Sequence, residues 1–263
     1  MKFTTILLER EPGIATITLN QPQRLNLLDN QMIAEIKKAL DSLKNDDNVG
    51  VVIITGAGEQ AFSAGVDLKL MRELDVPRAR EFIQGLHNVC KGIRELPKLV
   101  IAAINGACFG GSFELALSCD IRIASENAQL GLPEIRVGIP SVIEAALMAR
   151  LIGIGKTKEF VFTGDIVDAY EAERLGLVNK VVSLAQLSSM AREMATKILD
   201  YSPTAVRVQK DVINKWMTLD LEAAIDYSIN AFSLCFATEE PKEAMNAFLE
   251  KRKPCFRKSV SSP

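Results

Sequence analysis

Short apolar runs alternate in this chain with longer segments of helical periodicity, and this alternation limits the possible folds more than any other feature. Residues 49–55 and 99–105 are nearly continuous apolar runs rich in β-branched side chains, as expected of strands that are buried on both faces. Residues 79–94, which lie between them, have helical periodicity. Strands separated by helical segments predict an α/β fold whose strands are mostly parallel.

The flanking segments extend this pattern. Residues 14–19 alternate after a turn at Glu11-Pro12-Gly13, which predicts a half-buried strand. Apolar residues then recur every three or four positions from Ile33 to Leu43, and Asp29 is placed to cap that helix. Residues 121–124 are predicted to form a further short strand.

The β pattern stops near residue 200. Beyond Tyr201-Ser202-Pro203, residues 205–216, 221–236 and 241–251 all have the pattern of helices. We therefore predict an α/β core over residues 1–198 and a helical C-terminal region over residues 199–263.

The charge balance argues against nucleic acid or an anionic membrane as a partner. The 31 Lys and Arg residues and 33 Asp and Glu residues leave a net charge of −2, which gives no general attraction for polyanions. The longest uncharged run, residues 99–113, has 15 residues and contains glycines, whereas a membrane-spanning helix needs about 20 apolar residues.

Recognisable targeting and disulfide patterns are also absent from the sequence. Charges at residues 9–11 interrupt the N-terminal apolar stretch, unlike a secretory signal, and the C-terminal Ser-Ser-Pro matches no peroxisomal address. The five cysteines form no CxxC pair and suit reduced thiols. We expect a cytoplasmic protein without a membrane segment.

The single histidine, His87, limits the possible chemistry. A multi-histidine metal site or a Ser–His–Asp triad would have to include it. It lies in the helical segment 79–94, where a packed or solvated side chain is the ordinary interpretation. We expect neither a metal site nor histidine-based catalysis.

The first glycine-rich turn resembles a dinucleotide-binding fingerprint without its context. A strand is followed by Gly56-Ala57-Gly58 and Ala61, and Asp75 lies about where a ribose-binding acid would. The motif requires a helix to begin at its second glycine, whereas residues 61–67 are typical of another turn. A Rossmann oxidoreductase therefore remains only as an alternative. It would be excluded if the purified protein failed to retain NAD.

A second glycine-rich turn leads to an acid in apolar sequence. Gly110-Gly111 allows the backbone to approach a ligand, and the first N–H groups of a helix over residues 112–117 suit an anion or oxyanion. The helix dipole alone would favour Glu114 in the first turn. Its apolar surroundings indicate burial, however, and a buried carboxyl without a cation indicates a function other than stability.

A second acid, Glu134, lies in a similar apolar segment punctuated by Gly and Pro. Arg136, two residues on, offers it an ordinary ion pair. Two such acids, each beside a glycine turn, favour a general acid–base pair that works on a small apolar substrate.

These segments together resemble the crotonase (enoyl-CoA hydratase/isomerase) family over nearly the whole chain. The matching motifs are residues 56–68, 105–116, 133–140 and 237–252, in the order and spacing of the family. The resemblance implies a crotonase-like spiral core of repeated ββα units, a C-terminal helical trimerisation region, and homotrimers that commonly pair into hexamers. It also implies that no metal or redox cofactor is needed, because coenzyme A arrives on the acyl-CoA thioester substrate.

The resemblance also assigns roles to individual positions. The backbone N–H groups of Val66 and Gly111 would form the oxyanion hole, and Glu114 and Glu134 would be the catalytic acids. Binding of coenzyme A or the acyl chain is implied for Ala64, Asp67, Leu68, Lys69, Phe232 and Lys251. Of these, Lys251 would reach the 3′-phosphate and Phe232 would line the acyl pocket.

The presence of both acids favours reversible hydration of a 2-enoyl-CoA thioester to 3-hydroxyacyl-CoA, because relatives that only shift a double bond often keep one acid. Within the family, the alternatives are a double-bond isomerase and a dehydratase of a functionalised acyl-CoA. From another class, the alternative is a non-catalytic relative that binds acyl-CoA or RNA.

One segment departs from the family pattern. Residues 141–148 replace a glycine-rich run that ends in Thr-Gln-Arg in the family, without a change of length, and Ser112 replaces a third glycine. The replacement introduces Glu144, whose ordinary interpretation is a solvated helix face and whose alternative is a pocket residue that tunes substrate choice. The length of the acyl chain is therefore not predicted.

Overall fold

The computed structural model describes residues 2–256, which form two sheets surrounded by helices. The strands are β1 (Ile6–Glu11), β2 (Gly13–Leu19), β3 (Val49–Gly56), β4 (Ala61–Ser63), β5 (Leu99–Ile104), β6 (Ala107–Phe109), β7 (Ile121–Ser125), β8 (Gln129–Gly131), β9 (Ile166–Asp168) and β10 (Lys180–Val182). The helices are α1 (Asn30–Lys44), α2 (Leu68–Arg72), α3 (Val76–Glu95), α4 (Gly111–Leu117), α5 (Met148–Leu151), α6 (Gly153–Thr163), α7 (Ala169–Leu175), α8 (Leu184–Leu199), α9 (Pro203–Trp216), α10 (Leu221–Cys235) and α11 (Glu240–Leu249). Short 3-10 helices lie at Pro22–Arg24, Pro133–Val137 and Ile143–Leu147.

The larger sheet contains β1, β2, β3, β5, β7 and β10 side by side in that order. The predicted strands coincide with β2, β3, β5 and β7 to within one residue, and all neighbours from β2 to β10 are parallel. The α/β prediction is therefore confirmed. Strand β1 was not predicted; it pairs antiparallel with β2 at the sheet edge, and only Ile6 of it is buried.

The smaller sheet consists of the three-residue strands β4, β6, β8 and β9 in that order. Strands β4, β6 and β8 are parallel, and each follows one strand of the larger sheet along the chain. The chain therefore steps from the larger to the smaller sheet three times, at β3–β4, β5–β6 and β7–β8, and enters a helical segment after each step. This confirms the spiral of ββα units that the resemblance implies.

Close backbone approach at the first two steps requires glycine. A Cβ atom on Gly56 would lie 2.3 Å from the Ala61 carbonyl oxygen, and one on Gly106 would lie 2.3 Å from that of Gln60. The Asn105 side chain joins the two steps, since its Oδ1 accepts a hydrogen bond from Gly56 N at 3.1 Å. These contacts fix the point from which β4 and β6 start toward the same edge of the smaller sheet.

The dinucleotide-like segment has another role. After Gly58 the chain enters strand β4, where the nucleotide motif requires a helix. Asp75 caps α3 by accepting a hydrogen bond from Arg78 N at 3.0 Å. The argument against a nucleotide-binding turn is therefore confirmed.

Helices cover both faces of the larger sheet. Helices α1 and α3 pack together on one face, and α8 lies on the other, where Leu187, Ala191 and Ala195 are buried. Asp29 accepts a hydrogen bond from Met32 N at 2.9 Å and caps α1, as predicted. The sheet is thus buried on both sides, which explains the continuous apolar runs of β3 and β5.

Helices α9, α10 and α11 match the three predicted C-terminal helices. The buried ammonium of Lys210 anchors α9 to the core by donating to the carbonyl oxygens of Ile93 and Lys98 and to the carboxylate of Asp120, at 2.7–2.9 Å. The outer faces of α9–α11 and the turns beside them leave large apolar side chains exposed: Trp216, Phe232, Phe236, Phe248 and Leu249.

Residues 257–263 of the predicted C-terminal region, including the Ser-Ser-Pro, lie outside the described residues. Among residues 2–256, no helix combines the length and the apolar character that a membrane crossing requires. The cytoplasmic location stays a prediction.

Candidate active site

A cavity of about 550 Å³ lies where the segments after β4, β6 and β8 meet. Because these strands are parallel, their carboxyl ends reach the same edge of the smaller sheet. Helix α3 and the turn before it supply an apolar wall, which includes Leu74, Phe82, Ile83 and Leu86. A mostly apolar cavity of this size with a few polar groups is typical of a small-molecule site.

Two backbone N–H groups at this cavity are available to a ligand. Gly111 is the first residue of α4, so its N–H has no partner within the helix. Val66 lies opposite Leu28 in an isolated β-bridge. The hydrogen bonds of that bridge are made by the residues on either side of Val66, because Leu28 N donates to Gly65 O and Leu28 O accepts from Asp67 N. Within residues 2–256 neither N–H donates to a protein oxygen. The two residues adjoin, since a Cβ atom on Gly111 would lie 3.2 Å from Val66 Cγ2.

The tight turn before α4 depends on Gly110. Its φ of 55° and ψ of −130° define a backbone conformation that residues other than glycine rarely adopt. Its N–H donates to Gly131 O at 2.9 Å, and Ser112 Oγ donates to Ser63 O at 2.6 Å. The turn is therefore tied to both neighbouring strands of the smaller sheet, and Ser112, which replaces a family glycine, takes part in that tie.

Glu114 is buried beside the Gly111 N–H, with 2% of its surface exposed. Burial raises the pKa of Glu114 to about 8, the neighbouring charges of Glu134 and Glu144 act in the same direction, and a hydrogen bond from Ala145 N opposes them. The donor Ala145 N lies 2.9 Å from Glu114 Oε1. The raised pKa of Glu114 favours its protonated form at neutral pH in the free protein.

Glu134 faces the cavity from the 3-10 helix Pro133–Val137. Its Oε2 accepts a hydrogen bond from Ser141 Oγ at 2.7 Å, and a Cβ atom on Gly110 would lie 2.7 Å from its Oε1. The ion pair with Arg136 that the sequence allowed does not form, because Arg136 Nη2 lies 3.3 Å from Asp165 Oδ1 instead. The cavity thus brings together two glutamates and two free N–H groups.

The remaining predicted site residues divide into two groups. Ala64 and Leu68 line the cavity. The Asp67 carboxylate instead pairs with Arg24 at 2.5 Å and caps α2, accepting from Lys69 N at 2.9 Å, and the Lys69 side chain is exposed outside the cavity.

Phe232 and Lys251 do not line this cavity within a single chain. Phe232 is 67% exposed on α10 and packs edge-on against Phe236. Lys251 lies just after α11 and is exposed. Their roles toward an acyl-CoA stay predictions.

The interpretation of Glu144 as a solvated residue is wrong. Glu144 is 3% exposed, and its Oε1 lies 2.6 Å from Arg94 Nη2 and 3.0 Å from His87 Nδ1. It does not line the cavity either, but the peptide bond that follows it contacts the Glu114 carboxyl through Ala145 N. The carboxyl is buried because two basic side chains of α3 cover it. The spacing of apolar residues around Glu144 does not predict this contact, because the covering side chains belong to another helix.

Comparisons with known proteins cover nearly the full length of the chain. A family model described as enoyl-CoA hydratase/isomerase matches residues 9–259. The chain is 42% identical to the short-chain-enoyl-CoA hydratase of Clostridium acetobutylicum, over 96% of this chain and 97% of that protein. It is 41% identical to the crotonyl-CoA hydratase of Syntrophomonas wolfei, over 97% and 99%.

A solved structure agrees in fold. The crystal structure of an enoyl-CoA hydratase from Bacillus anthracis matches with a TM-score of 0.93 at 36% identity, over 96% of this chain and 99% of that chain. The fold is therefore shared over 96% of this chain.

Proposed function

The chain belongs to the enoyl-CoA hydratase/isomerase family, and on that premise we propose that it catalyses the reversible hydration of a 2-enoyl-CoA thioester to a 3-hydroxyacyl-CoA. The observation that carries the proposal is the pair of glutamates, Glu114 and Glu134, at one apolar cavity beside two free N–H groups. Relatives named as short-chain-enoyl-CoA and crotonyl-CoA hydratases support the same reaction.

In this mechanism the N–H groups of Val66 and Gly111 hold the thioester carbonyl oxygen. Negative charge builds on that oxygen as the substrate becomes enolate-like, so donors fixed by the backbone stabilise the transition state more than the ground state. Removal of one such donor typically costs about 2.7–4 kcal/mol of barrier. Both donors are held by the backbone, so no side-chain motion is needed to form the oxyanion hole.

Glu114 and Glu134 together handle one water and two protons. The water oxygen bonds to the β-carbon while one of its protons passes to the ionised carboxylate, and the protonated carboxyl gives its proton to the α-carbon. One proton remains on the pair at the end, so the reverse path is equally available. The raised pKa of Glu114 favours retention of its proton at neutral pH in the free protein, which suits it to a general acid.

Coenzyme A would enter with the substrate, and no metal or redox cofactor takes part in this scheme. We place its pantetheine along Ala64 and Leu68, which line the cavity; contacts to Asp67 and Lys69 would be made through the backbone. Phe232 and Lys251 would reach a substrate only across a contact between copies. The exposed apolar faces of α9–α11 support a homotrimer or hexamer in which such contacts form.

The test is loss of the enoyl-thioester absorbance when the purified protein meets crotonyl-CoA. We expect rapid loss with the wild type and a fall of about 10²–10⁴-fold in both Glu114→Gln and Glu134→Gln. The exposed Glu193 of α8 provides a matched control, and Glu193→Gln should keep full activity.

Two outcomes would contradict the proposal. Wild-type protein that binds coenzyme A but leaves crotonyl-CoA unchanged would reject hydration of simple enoyl-CoA thioesters. Full activity in one of the two variants would show that a single acid suffices, which is the pattern expected of a double-bond isomerase.

A further inference from the structure

Glu144 is a buried carboxyl whose two partners, His87 and Arg94, have side chains that are 34% and 30% exposed. Arg94 and His87, which lie seven residues apart on α3, contact the same Oε1 atom of Glu144, at 2.6 and 3.0 Å. Residues at that spacing share one face of a helix. Two basic side chains of one α3 face therefore converge on a single carboxylate of the 3-10 helix Ile143–Leu147.

The peptide bond that follows Glu144 contacts a proposed catalytic acid. The N–H of Ala145 is shared, since it donates to Glu114 Oε1 at 2.9 Å and to Val142 O of its own turn at 2.9 Å. It is the one hydrogen-bond donor to the Glu114 carboxyl among the described residues. A displacement of Glu144 that turns this peptide bond would therefore move the donor that orients Glu114.

The backbone at this point needs an external constraint. Ile143, the residue before Glu144, has a φ of 33°, a region that β-branched residues avoid at a cost of about 1–3 kcal/mol. Such a conformation persists only where the surroundings impose it. The hydrogen bond from Ala145 N to Val142 O closes this turn from within, and the contacts of Glu144 with Arg94 and His87 add a constraint from α3.

Stability alone does not account for the cluster. The three buried side-chain atoms without a hydrogen-bond partner in residues 2–256 are Arg94 Nε, Glu144 Oε2 and His87 Nδ1, the last being close to Glu144 but not aligned for a hydrogen bond. Incompletely satisfied buried charges are weak stabilisers. Such a cluster is better explained by what it holds in place.

We propose that Glu144, clamped by Arg94 and His87, is a positioning residue that fixes the Ala145 N–H against the Glu114 carboxyl. This inference rests on the hydration reaction proposed above. It gives the altered segment 141–148 a role in catalysis, because a charged clamp holds a turn that is glycine-rich elsewhere in the family.

The pH profile supplies a readout that general destabilisation would not move. The ionisable groups that face Glu114 are Glu134, Glu144 and the Cys90 thiol of α3, and burial holds the pKa of Cys90 well above its usual value. In Arg94→Gln the Ala145 hydrogen bond loosens and the negative charge of Glu144 loses its partner. Both changes raise the pKa of Glu114 in the free protein, so the alkaline limb of kcat/KM should move to higher pH.

The experiment compares Arg94→Gln, Glu144→Gln and the double variant with wild type on crotonyl-CoA, with Glu95→Gln, an exposed residue of α3, as the control. We expect kcat to fall about tenfold in each single variant, with KM changed less than about twofold, because a misplaced catalytic group slows the chemistry. The double variant should fall no further, since the two residues act as one clamp.

Different outcomes overturn the proposal. The two charge changes cancel in the double variant. Recovery of wild-type kcat there would show that Arg94 and Glu144 affect catalysis through their charges alone and do not position the Ala145 N–H. An unmoved alkaline limb in Arg94→Gln would reduce the clamp to a structural support.

A wild type without hydratase activity would reject the proposed function and leave the clamp testable. The part of the stability loss between pH 6 and pH 9 that Glu114→Gln removes reports the proton on Glu114 without turnover. If the clamp acts as proposed, that part should be larger on the Arg94→Gln background than on the wild-type background, and an equal part would overturn it.

Discussion

Replacement of Glu114 by glutamine should make the stability of this protein less dependent on pH. The pKa of Glu114 is raised from 4.5 to about 8, chiefly by burial, so the folded protein holds this proton more tightly than the unfolded chain. Below pH 4.5 the carboxyl is protonated in both states and its contribution to stability is fully present. As the pH rises toward 8 the unfolded chain alone releases the proton, and stability is lost until the folded carboxyl also ionises.

The size of the effect follows from the two pKa values. Each pH unit between them costs about 1.4 kcal/mol of unfolding free energy. Between pH 6 and pH 9 the wild type should therefore lose about 2.5 kcal/mol through Glu114. Glutamine cannot ionise, and its carbonyl oxygen can still accept the hydrogen bond from Ala145 N, so Glu114→Gln should escape this loss.

The assay is chemical denaturation of both proteins at pH 6 and pH 9, at one protein concentration because assembly would shift apparent stability. The quantity of interest is the change with pH of the stability difference, in which other titrating groups cancel. Glu193→Gln, an exposed substitution, should follow the wild type at both pH values. A Glu114→Gln variant that loses as much stability as the wild type would refute the raised pKa.

Three further results are expected. Gly110→Ala should reduce kcat about 100-fold with the fold retained, because the methyl group would lie 2.7 Å from Glu134 Oε1; activity near that of wild type would contradict this account of the turn. Lys210→Met should lower the unfolding free energy by about 3 kcal/mol in denaturant titrations, since it removes three hydrogen bonds of the buried ammonium and the nearest cation of Asp120, whose side chain is 20% exposed, and an unchanged stability would show that α9 is held by other contacts. Phe232→Asp should lower the molar mass measured by light scattering to that of a single chain, because it places a charge in the exposed apolar face of α10; an unchanged mass would place any subunit contact elsewhere.

The predictability of the fold from sequence depended on strand length and burial. Strands β3 and β5 are buried on both faces, so their sequences are apolar throughout and easily recognised. Strands of the smaller sheet have three residues each, too few for any periodicity to appear. Strand β1 was missed because it exposes most of its residues at an edge and carries three charged residues.

The candidate site was predicted where it depends on the backbone. Gly110 has a φ that other residues rarely adopt, and Gly111 packs closely against Leu86 and Val66, so both positions favour glycine and are visible in the sequence. The apolar sequence around Glu114 indicated that its carboxyl is buried. Ser141 was not predicted as a partner of Glu134, because a serine hydroxyl can bond to almost any neighbouring group and its presence specifies none.

The error over Glu144 shows which information a single segment cannot contain. A charged residue among alanines and leucines has the pattern of a solvated helix face, because spacing reports which residues share a face and not what covers that face. The covering groups, Arg94 and His87, lie on α3, and Arg94 is 50 residues earlier in the chain. Taken alone, they too resemble surface residues of an amphipathic helix. Opposite charges on two such segments can be recognised as a pair only when the packing of the segments is known. The contact of Glu144 with α3 must therefore come from the structure, even though Glu114, the acid that it supports, can be predicted from sequence.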